Sequence, residues 1–242
     1  MTADGHTLDG FLNRRLTIAQ PKRGFRAGHD TVLLAAAVPA EAGSLVLELG
    51  SGAGVASLCL ASRVPGASVA GVEIDPDLVN LANENAARNA MAGRVRFEAG
   101  DVLQFAQIAA FDHVLLNPPF YPASGQESPY AARDRAMRDA DRALADWMRV
   151  ALSAVKDGGT VTAVLRADRA DELLDPARGL AGIVFPLFPR PSEPPKRAIV
   201  QVTKGREGKP ETAPGLVLHE ADGRNTAAAE AVLRHGEALR LT

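Results

Sequence analysis

A glycine-rich segment at residues 47–54, with the sequence LELGSGAG, is the strongest candidate for chemistry in the chain. An apolar run leads directly into alternating glycines and then into a helical pattern, so the backbone can turn tightly and a ligand can approach main-chain atoms. Glu73 ends the next apolar run, 23 residues after Gly50. An acidic side chain at this place in such folds accepts hydrogen bonds from a ribose diol. Together the two features indicate a site for an adenosine-containing cofactor.

The glycine spacing and one neighbouring acid distinguish between such cofactors. A dinucleotide fingerprint requires the spacing G-x-G-x-x-G. Here the third glycine, Gly54, follows Gly50 and Gly52 too soon, and Val55 occupies the position where the fingerprint needs a glycine. Glu48 places a carboxylate beside the segment, which would repel a pyrophosphate but suits a cationic amino-acid group. The residues therefore favour S-adenosylmethionine over NAD, with a structural turn that binds no ligand as the remaining alternative.

Asp101 lies just after the third predicted strand, at the same edge of the sheet. Its carboxylate is placed to accept a hydrogen bond from the adenine amine of the cofactor. The alternative role is to cap the helical turn that begins at Val102. The two roles are compatible with each other.

A second candidate for chemistry is the tetrapeptide Asn117-Pro118-Pro119-Phe120, directly after another apolar run. Two consecutive prolines fix the backbone and remove two N–H donors, which leaves the Asn117 amide oxygen and the Pro118 carbonyl free to accept hydrogen bonds. Phe120 offers a flat apolar face. This set suits a planar substrate with an –NH2 group, because two acceptors that draw on its hydrogens restore lone-pair density on the nitrogen. We expect these four residues to hold an amine that receives a methyl group, the alternative being a strand-ending turn without a ligand.

Short apolar runs alternate with helical patterns from residue 45 onward, as is typical of a parallel sheet covered by helices. We predict seven strands, at residues 45–49, 68–73, 95–98, 113–116, 160–165, 183–187 and 198–203. Helices are predicted at residues 29–38, 55–63, 76–91, 140–155 and 169–174, with a final helix capped by Asn225. Asp75 followed by Pro76 marks the start of the third of these helices. Core positions at helical spacing are predicted in the fourth, at Leu144, Trp147, Met148 and Ala151. The predicted fold class is α/β, a Rossmann-like seven-stranded mostly parallel sheet with helices on both faces and a short N-terminal helical segment. Because parallel strands end at one edge of the sheet, the glycine loop (residues 50–54), Glu73 and Asn117 are expected to meet there.

The order of the predicted helices and strands divides the chain into three parts. Residues 1–44 form an N-terminal segment that packs on the core, residues 45–210 form the main domain, and residues 211–242 form a C-terminal extension. The stretch 205–214 is polar and rich in glycine and proline, so it is predicted to be a loop. Residues 216–219 are predicted to form a short strand.

Composition and charge exclude several classes of protein. Hydrophobic residues make up 46% of the chain and charged residues 23%, which is typical of a soluble globular protein. Cys59 is the single cysteine, so a disulfide framework and a cysteine-cluster metal site are excluded, and Cys59 itself is expected in the core. The five histidines lack metal-ligand spacing, so we expect no metal. Because no run reaches the roughly 20 apolar residues that span a bilayer, we expect a cytoplasmic protein with no membrane association.

The net charge of −2, from 27 basic and 29 acidic residues, hides an uneven distribution. Residues 1–26 carry five basic and two acidic side chains, and residues 186–210 carry six and two, whereas residues 27–185 carry 13 and 20. Four basic residues around the last predicted strand are expected to contact an RNA backbone, the alternative being an ordinary charged surface. They are Lys196, Arg197, Lys204 and Arg206. The loop 121–139 holds tyrosines and arginines that suit either a contact with RNA or a solvated lid.

The motifs together resemble class I S-adenosylmethionine-dependent methyltransferases of the amino-methylating branch. The upstream segment 24–30, GFRAGHD, followed by LLAA, resembles the bacterial tRNA (adenine-N6)-methyltransferase family that modifies an anticodon-loop adenine of valine tRNA. Residues 189–191 and 215–219 also resemble that family, so the resemblance covers nearly the whole chain. It implies that the methionine end of the cofactor is lined by Glu48, Gly50, Gly52 and Gly54, the ribose bound by Glu73, and the adenine bound by Asp101. It also implies that residues 117–120 hold the target amine and that Arg26 and Asp30 lie near the cofactor's amino acid.

The sequence therefore predicts an enzyme that transfers a methyl group from S-adenosylmethionine to an exocyclic amine, adenine N6 in tRNA. One alternative is methylation of a glutamine amide in a protein of translation, because an amide nitrogen presents the same lone-pair problem. Such enzymes normally carry a separate N-terminal helical domain, for which the 44 residues before the first predicted strand are too few. A further alternative is a non-catalytic RNA-binding protein that retains the fold.

Overall fold

The structure is a computed structural model that describes residues 5–118 and 144–242. Its strands are β1 (His6–Phe11), β2 (Leu16–Pro21), β3 (Leu45–Leu49), β4 (Ser68–Glu73), β5 (Val95–Ala99), β6 (Phe111–Leu116), β7 (Val155–Arg166), β8 (Leu180–Phe188), β9 (Arg197–Glu207), β10 (Pro210–Thr212) and β11 (Leu216–Val217). Its helices are α1 (His29–Ala37), α2 (Val55–Arg63), α3 (Pro76–Arg88), α4 (Leu144–Ala154), α5 (Ala170–Leu174) and α6 (Ala227–Leu233). The predicted loop 121–139 lies outside the described residues.

One sheet of nine strands organises the described part of the chain, in the order β10-β8-β9-β7-β6-β3-β4-β5, with β11 also paired to β8. The neighbours from β5 to β7 are all parallel, and β9 is antiparallel to both β7 and β8. This arrangement confirms the predicted α/β class with a mostly parallel sheet. Leu49 on β3 pairs with Leu116 on β6, so the next residues, Gly50 and Asn117, leave the sheet side by side. We call this edge, where the parallel strands end, the carboxyl edge, and the opposite one the amino edge.

The seven predicted strands are all present, but the region after them differs from the prediction. The loop predicted at 205–214 is wrong, because β9 continues to Glu207 and β10 follows at Pro210–Thr212. β10 and β11 both run parallel to β8 along its outer side. The backbone N–H and C=O groups of β8 that do not pair with β9 therefore form hydrogen bonds with β10 and β11. These hydrogen bonds outweigh the tendency of the local glycines and prolines to form a loop. The short strand predicted at 216–219 is observed at Leu216–Val217.

β1 and β2 form a separate antiparallel hairpin that the sequence does not predict. The turn residues Leu12, Asn13 and Arg14 have φ values of 48°, 56° and 63°, a left-handed conformation that glycine or an Asn-Gly pair usually supplies in hairpins. The Arg15 side chain steadies the turn, since its Nε donates to the Leu12 carbonyl at 3.2 Å and its Nη2 donates to the carbonyl of His235. The turn is thus stabilised by contacts distant in sequence, which local patterns do not reveal.

Apolar side chains fill both faces of the sheet. α1, α2 and α3 pack with β2 in one buried cluster, and α4 and α5 pack in the other. Cys59 is buried in the first cluster, as predicted. The α4 residues predicted to be core, Leu144, Trp147, Met148 and Ala151, are all buried in the second. No helix within residues 5–118 and 144–242 is long and apolar enough to cross a membrane.

The N-terminal cap predicted from the sequence is observed at α3 but not at α6. Asp75 caps α3, with its Oδ1 accepting the Asp77 N–H at 3.0 Å, as the Asp-Pro start predicts. The cap predicted for the last helix is wrong by one residue, because Thr226 accepts the Ala229 N–H at 3.1 Å. The Asn225 amide instead donates to a carboxylate within the helix.

Candidate active site

The glycine loop joins β3 to α2, and all three of its glycines have positive φ. A Cβ on Gly50 would lie 2.9 Å from Cη2 of Trp147, and a Cβ on Gly54 would lie 2.6 Å from Cζ of Phe97. A Cβ on Gly52 would meet no described atom within 4 Å. Gly50 and Gly54 therefore let the protein's own side chains pack against the loop, whereas Gly52 faces open space that a ligand can occupy.

Glu73 supports the glycine loop from the end of β4. Its Oε2 accepts the Gly52 N–H at 2.8 Å, and its Oε1 accepts the Asp75 N–H at 3.1 Å. Burial raises the pKa of Glu73 above its usual value, against the opposing effect of backbone hydrogen bonds that include those from Gly52 and Asp75. A carboxylate oxygen can accept more than one hydrogen bond, so Glu73 can still accept hydrogen bonds from ribose hydroxyls. Ribose binding by Glu73 stays a prediction.

Glu48 is buried beneath the first turn of α2, with 3% of its surface exposed. Its Oε2 accepts hydrogen bonds from the backbone N–H of Ser57, at 3.0 Å, and from the Ser57 hydroxyl. Burial raises the pKa of Glu48 to about 8, although both Ser57 bonds lower it. A cation beside this carboxyl would favour its charged form, so the predicted role toward a cationic amino-acid group is physically consistent and stays a prediction.

Ile74 and Asp101 follow β4 and β5, the two strands that lie on one side of β3 in the sheet. Asp101 caps the following turn, because its Oδ1 accepts the Leu103 N–H at 2.9 Å and its Oδ2 accepts from the Gln104 side chain at 3.1 Å. The capping role is therefore confirmed, and the contact with adenine stays a prediction. Ile74 was missed by the sequence analysis, yet it directly follows Glu73 and is 41% exposed. An exposed apolar residue just after a strand-ending acid offers a surface that could contact a flat ring, and this role of Ile74 is a prediction.

Asn117 lies at the carboxyl edge beside Gly50, and its Oδ1 is buried with no hydrogen-bond partner in residues 5–118 and 144–242. Pro118, which follows it, is buried. Pro119 and Phe120 lie outside the described residues. The free acceptor that the tetrapeptide predicts is therefore present at Asn117, and its role toward an amine stays a proposal.

Two more buried polar atoms at the glycine loop lack a partner within the described ranges. They are the Oγ of Ser51, which lies in the loop, and the Nε1 of Trp147, whose ring lies against Gly50. Buried polar groups normally form hydrogen bonds, so a polar ligand at this place would supply what these atoms lack. The open side of Gly52 and these atoms fit S-adenosylmethionine, which carries amino, carboxyl and ribose groups. Helical spacing predicts Trp147 as a core residue but does not reveal that its indole N–H lacks a partner among the described residues.

Comparison with known families decides the assignment. The model of the methyltransferase small domain family matches residues 26–165, more than half of the chain. The chain belongs to this family. It is an S-adenosylmethionine-dependent methyltransferase, and S-adenosylmethionine is its cofactor, as the glycine spacing predicts.

Relatives of this methyltransferase agree with the family. The tRNA1(Val) (adenine(37)-N6)-methyltransferase of Actinobacillus succinogenes is 32% identical over 168 residues, which cover 68% of this chain and 71% of that protein. The protein of the same name from Actinobacillus pleuropneumoniae serotype 7 is 27% identical over 224 residues, which cover 90% of this chain and 93% of that protein. A crystal structure described as a predicted O-methyltransferase from Agrobacterium tumefaciens has the same fold, with a TM-score of 0.72 and 22% identity, covering 87% of this chain and 98% of that one.

Arg26 and Asp30 of this methyltransferase have structural partners that the sequence does not reveal. Arg26 Nη2 forms an ion pair with Asp9 of β1 at 2.6 Å, and Nη1 donates to the Pro21 carbonyl at 2.9 Å. The carboxylate of Asp30 forms an ion pair with Arg197 at 2.8 Å. Arg26 thus fastens the segment before α1 to the hairpin, and Asp30 fastens the first turn of α1 to β9. Their predicted place near the cofactor's amino acid stays a prediction.

The prediction of a single basic cluster around the last strand is wrong. Lys196 and Arg197 lie at the carboxyl edge, since Arg197 pairs across the sheet with Arg166 at the end of β7. Lys204 lies near the amino edge, where its Nζ donates to the Val155 carbonyl at 2.8 Å at the start of β7, and Arg206 follows it. Seven residues of a strand at about 3.3 Å each separate Arg197 from Lys204 by about 23 Å. Proximity in the sequence does not place these residues together, because an extended strand carries them to opposite edges of the sheet.

Replacing Glu48 with glutamine should stabilise the ligand-free protein at neutral and higher pH. The folded chain keeps a proton on Glu48 up to about pH 8, whereas the unfolded chain releases it near pH 4.5, the ordinary pKa of a glutamate. The stability of the fold therefore falls as the pH rises between these values. Glu48→Gln removes this loss and can still accept both hydrogen bonds from Ser57. The Tm advantage of the variant should grow by about 5 °C or more between pH 5 and pH 8.

Differential scanning fluorimetry over this pH range measures the effect. Glu98→Gln is the matched control, since Glu98 is an exposed carboxylate on β5. If Glu48→Gln and wild type showed the same dependence of Tm on pH, the buried carboxyl would not be protonated as described.

Proposed function

We propose that this methyltransferase transfers the methyl group of S-adenosylmethionine to N6 of an adenine in tRNA, with Asn117 as the residue that holds the target amine. The observation that supports this most directly is the Oδ1 of Asn117, which is buried next to Gly50 and has no hydrogen-bond partner in the part of the chain that the structure describes. The names of the two Actinobacillus relatives support the choice of tRNA and of adenine N6. The cytoplasm, where tRNA is used, is the proposed location.

The chemistry at Asn117 follows from the weak nucleophilicity of an aromatic amine. Its lone pair is delocalised into the ring, and an acceptor that takes a hydrogen bond from the amine opposes this delocalisation. The oxygen of a side-chain amide carries no proton, so it can only accept a hydrogen bond. The proline after Asn117 restricts the backbone that carries this side chain. When bound, the cofactor would supply an activated methyl group. Its carbon–sulfur bond would break as a carbon–nitrogen bond to the amine formed, S-adenosylhomocysteine would be the leaving group, and the surplus amine proton would be released to solvent.

The carboxyl edge also carries the proposed contact with the RNA backbone. β6 is followed by β7 and then β9 in the sheet, so Asn117, Arg166 and Arg197 occur in that order along the edge. Arg166 was missed by the sequence analysis. It forms an ion pair with Asp168, and its side chain is 48% exposed. Lys196 is 68% exposed beside Arg197. We place the RNA on this side of the amine site.

The test is methylation of cellular RNA and protein with methyl-labelled S-adenosylmethionine. Purified protein is incubated with total RNA and, separately, with total soluble protein, and the labelled RNA is digested to nucleosides. We expect label in N6-methyladenosine from the tRNA fraction and none above background with Asn117→Ala. Label in the protein fraction alone would support the glutamine-amide alternative, and label in another nucleoside would exclude adenine N6 as the target.

A further inference from the structure

Asn85 of α3 is a fully buried polar residue with all of its hydrogen-bonding capacity in use. Its Oδ1 accepts the Ala19 N–H at 2.8 Å and a guanidinium N–H of Arg88 at 2.6 Å. Its Nδ2 donates to the carbonyls of Ala19 at 2.9 Å and Ala53 at 3.0 Å. Because a backbone N–H can only donate, the orientation of the amide is fixed by Ala19. One side chain therefore joins three separate parts of the molecule: the hairpin strand β2, helix α3 and the glycine loop.

Asn89 repeats part of this pattern one helical turn later. Its Oδ1 accepts the Thr17 N–H at 3.0 Å, and its Nδ2 donates to the Thr17 carbonyl at 3.0 Å. Thr17 and Ala19 are alternate residues of β2, so their backbone groups point to the same side of the strand. The two asparagines thus act toward β2 as a third strand would. Asn89, however, lies in a more exposed position and makes no contact with the glycine loop among its described bonds.

The bond to Ala53 is what distinguishes Asn85. Ala53 follows Gly52, the glycine that faces open space. Gly52 and Gly54, which flank Ala53, both have positive φ, and because glycine has no Cβ this stretch has access to many other conformations. A hydrogen bond that directs the Ala53 carbonyl toward α3 keeps that oxygen away from the ligand side. A loop that is already ordered does not have to be ordered by the ligand, so binding is tighter.

We propose that Asn85 is a positioning residue for the cofactor: it holds the glycine loop in its binding conformation by fastening the Ala53 carbonyl to β2 and α3. This inference depends on the use of S-adenosylmethionine and is independent of the identity of the methylated substrate. The helix face of Asn85 is otherwise apolar, with Ala82 and Ala86 buried beside it. A polar residue on such a face, repeated four positions later, is the sequence signal that marks it.

The test compares Asn85→Ala with Asn89→Ala in binding of S-adenosylhomocysteine, measured by isothermal titration calorimetry without RNA. Loss of a partner for buried backbone groups should raise the Kd of Asn85→Ala about tenfold or more. Asn89→Ala should change the Kd by less than about threefold, because it loosens the same strand without releasing the loop. In methyl-transfer assays Asn85→Ala should raise the KM for S-adenosylmethionine far more than it lowers kcat. Amide hydrogen exchange of the peptide containing residues 50–58 should become faster in Asn85→Ala only.

A general loss of stability is separated from this effect by thermal unfolding of both variants, with binding measured well below each Tm. If Asn85→Ala does not fold, Asn85→Asp takes its place, because it keeps the acceptor for the Ala19 N–H but cannot donate to Ala53 when ionised. An equal rise in Kd for the Asn85 and Asn89 variants, or no rise in the Asn85 variants, would overturn the proposal. Because the probe binds without RNA, either result leaves the assignment of the RNA substrate to its own test.

Discussion

Asn117→Ala should lower the rate of methyl transfer by about a hundredfold or more, while the Kd for S-adenosylmethionine changes by less than about threefold. The Oδ1 that this substitution removes is buried and unpartnered, so its loss breaks no hydrogen bond within the described protein. The glycine loop, Glu48 and Glu73, which we propose as the cofactor-binding residues, are left unchanged. The substitution should therefore lower kcat, because the lost hydrogen bond is made to the amine that reacts.

Single-turnover transfer to tRNA and calorimetric binding of S-adenosylmethionine measure the two quantities separately. Asn117→Asp is the matched variant, since it keeps an acceptor oxygen of the same size at the same position and should retain more activity than Asn117→Ala. Transfer at the wild-type rate by Asn117→Ala would show that the amine binds elsewhere. A parallel loss of cofactor binding would assign Asn117 to the cofactor instead of the substrate.

Reversing the charges at Lys196 and Arg197 should weaken tRNA binding by about tenfold or more at moderate ionic strength. Both residues lie at the carboxyl edge, on the side of Asn117 away from Glu73 and Asp101. Each cation that contacts a phosphate contributes about one to the slope of log Kd against log salt, so the double variant should lower that slope by about two.

The division of the basic residues between the two edges supplies the control. Lys204→Glu with Arg206→Glu makes the same change in net charge about 23 Å away along the strand. This pair should weaken tRNA binding by less than about threefold, since only the long-range field changes. Filter binding or fluorescence anisotropy at several salt concentrations distinguishes the two variants. Equal effects of both would mean that net charge, and not the carboxyl edge, determines RNA affinity.

The sheet and the glycine loop could be predicted from the sequence because their signals are local. Apolar runs mark β3 to β9, and the residues from Leu47 to Gly54 carry both the end of a strand and the start of a helix. The placement of Glu73 and Asn117 at one edge then follows from the rule that parallel strands end together. The capping of α3 by Asp75 is equally local.

The features that were missed depend on contacts between distant parts of the chain. The hairpin turn has no glycine and is steadied by Arg15, which reaches the carbonyl of His235. Asn85 is identifiable as a polar residue on an apolar face, but its partners on β2 and in the glycine loop belong to the folded state only. The pairing of Asp30 with Arg197 likewise joins residues 167 positions apart.

The short strands β10 and β11 cover an edge of the sheet that could otherwise pair with another chain during synthesis. β8 is nine residues long and almost entirely apolar, and an uncovered edge strand of this kind is a template for pairing with another chain. β10 and β11 cover that edge with segments of three and two residues, which leave little backbone for a further strand to join. Both follow β8 and β9 in the sequence. A nascent chain that has emerged only as far as Glu207 therefore contains every parallel strand from β3 to β7 but still exposes this edge, and aggregation is most favoured in that interval.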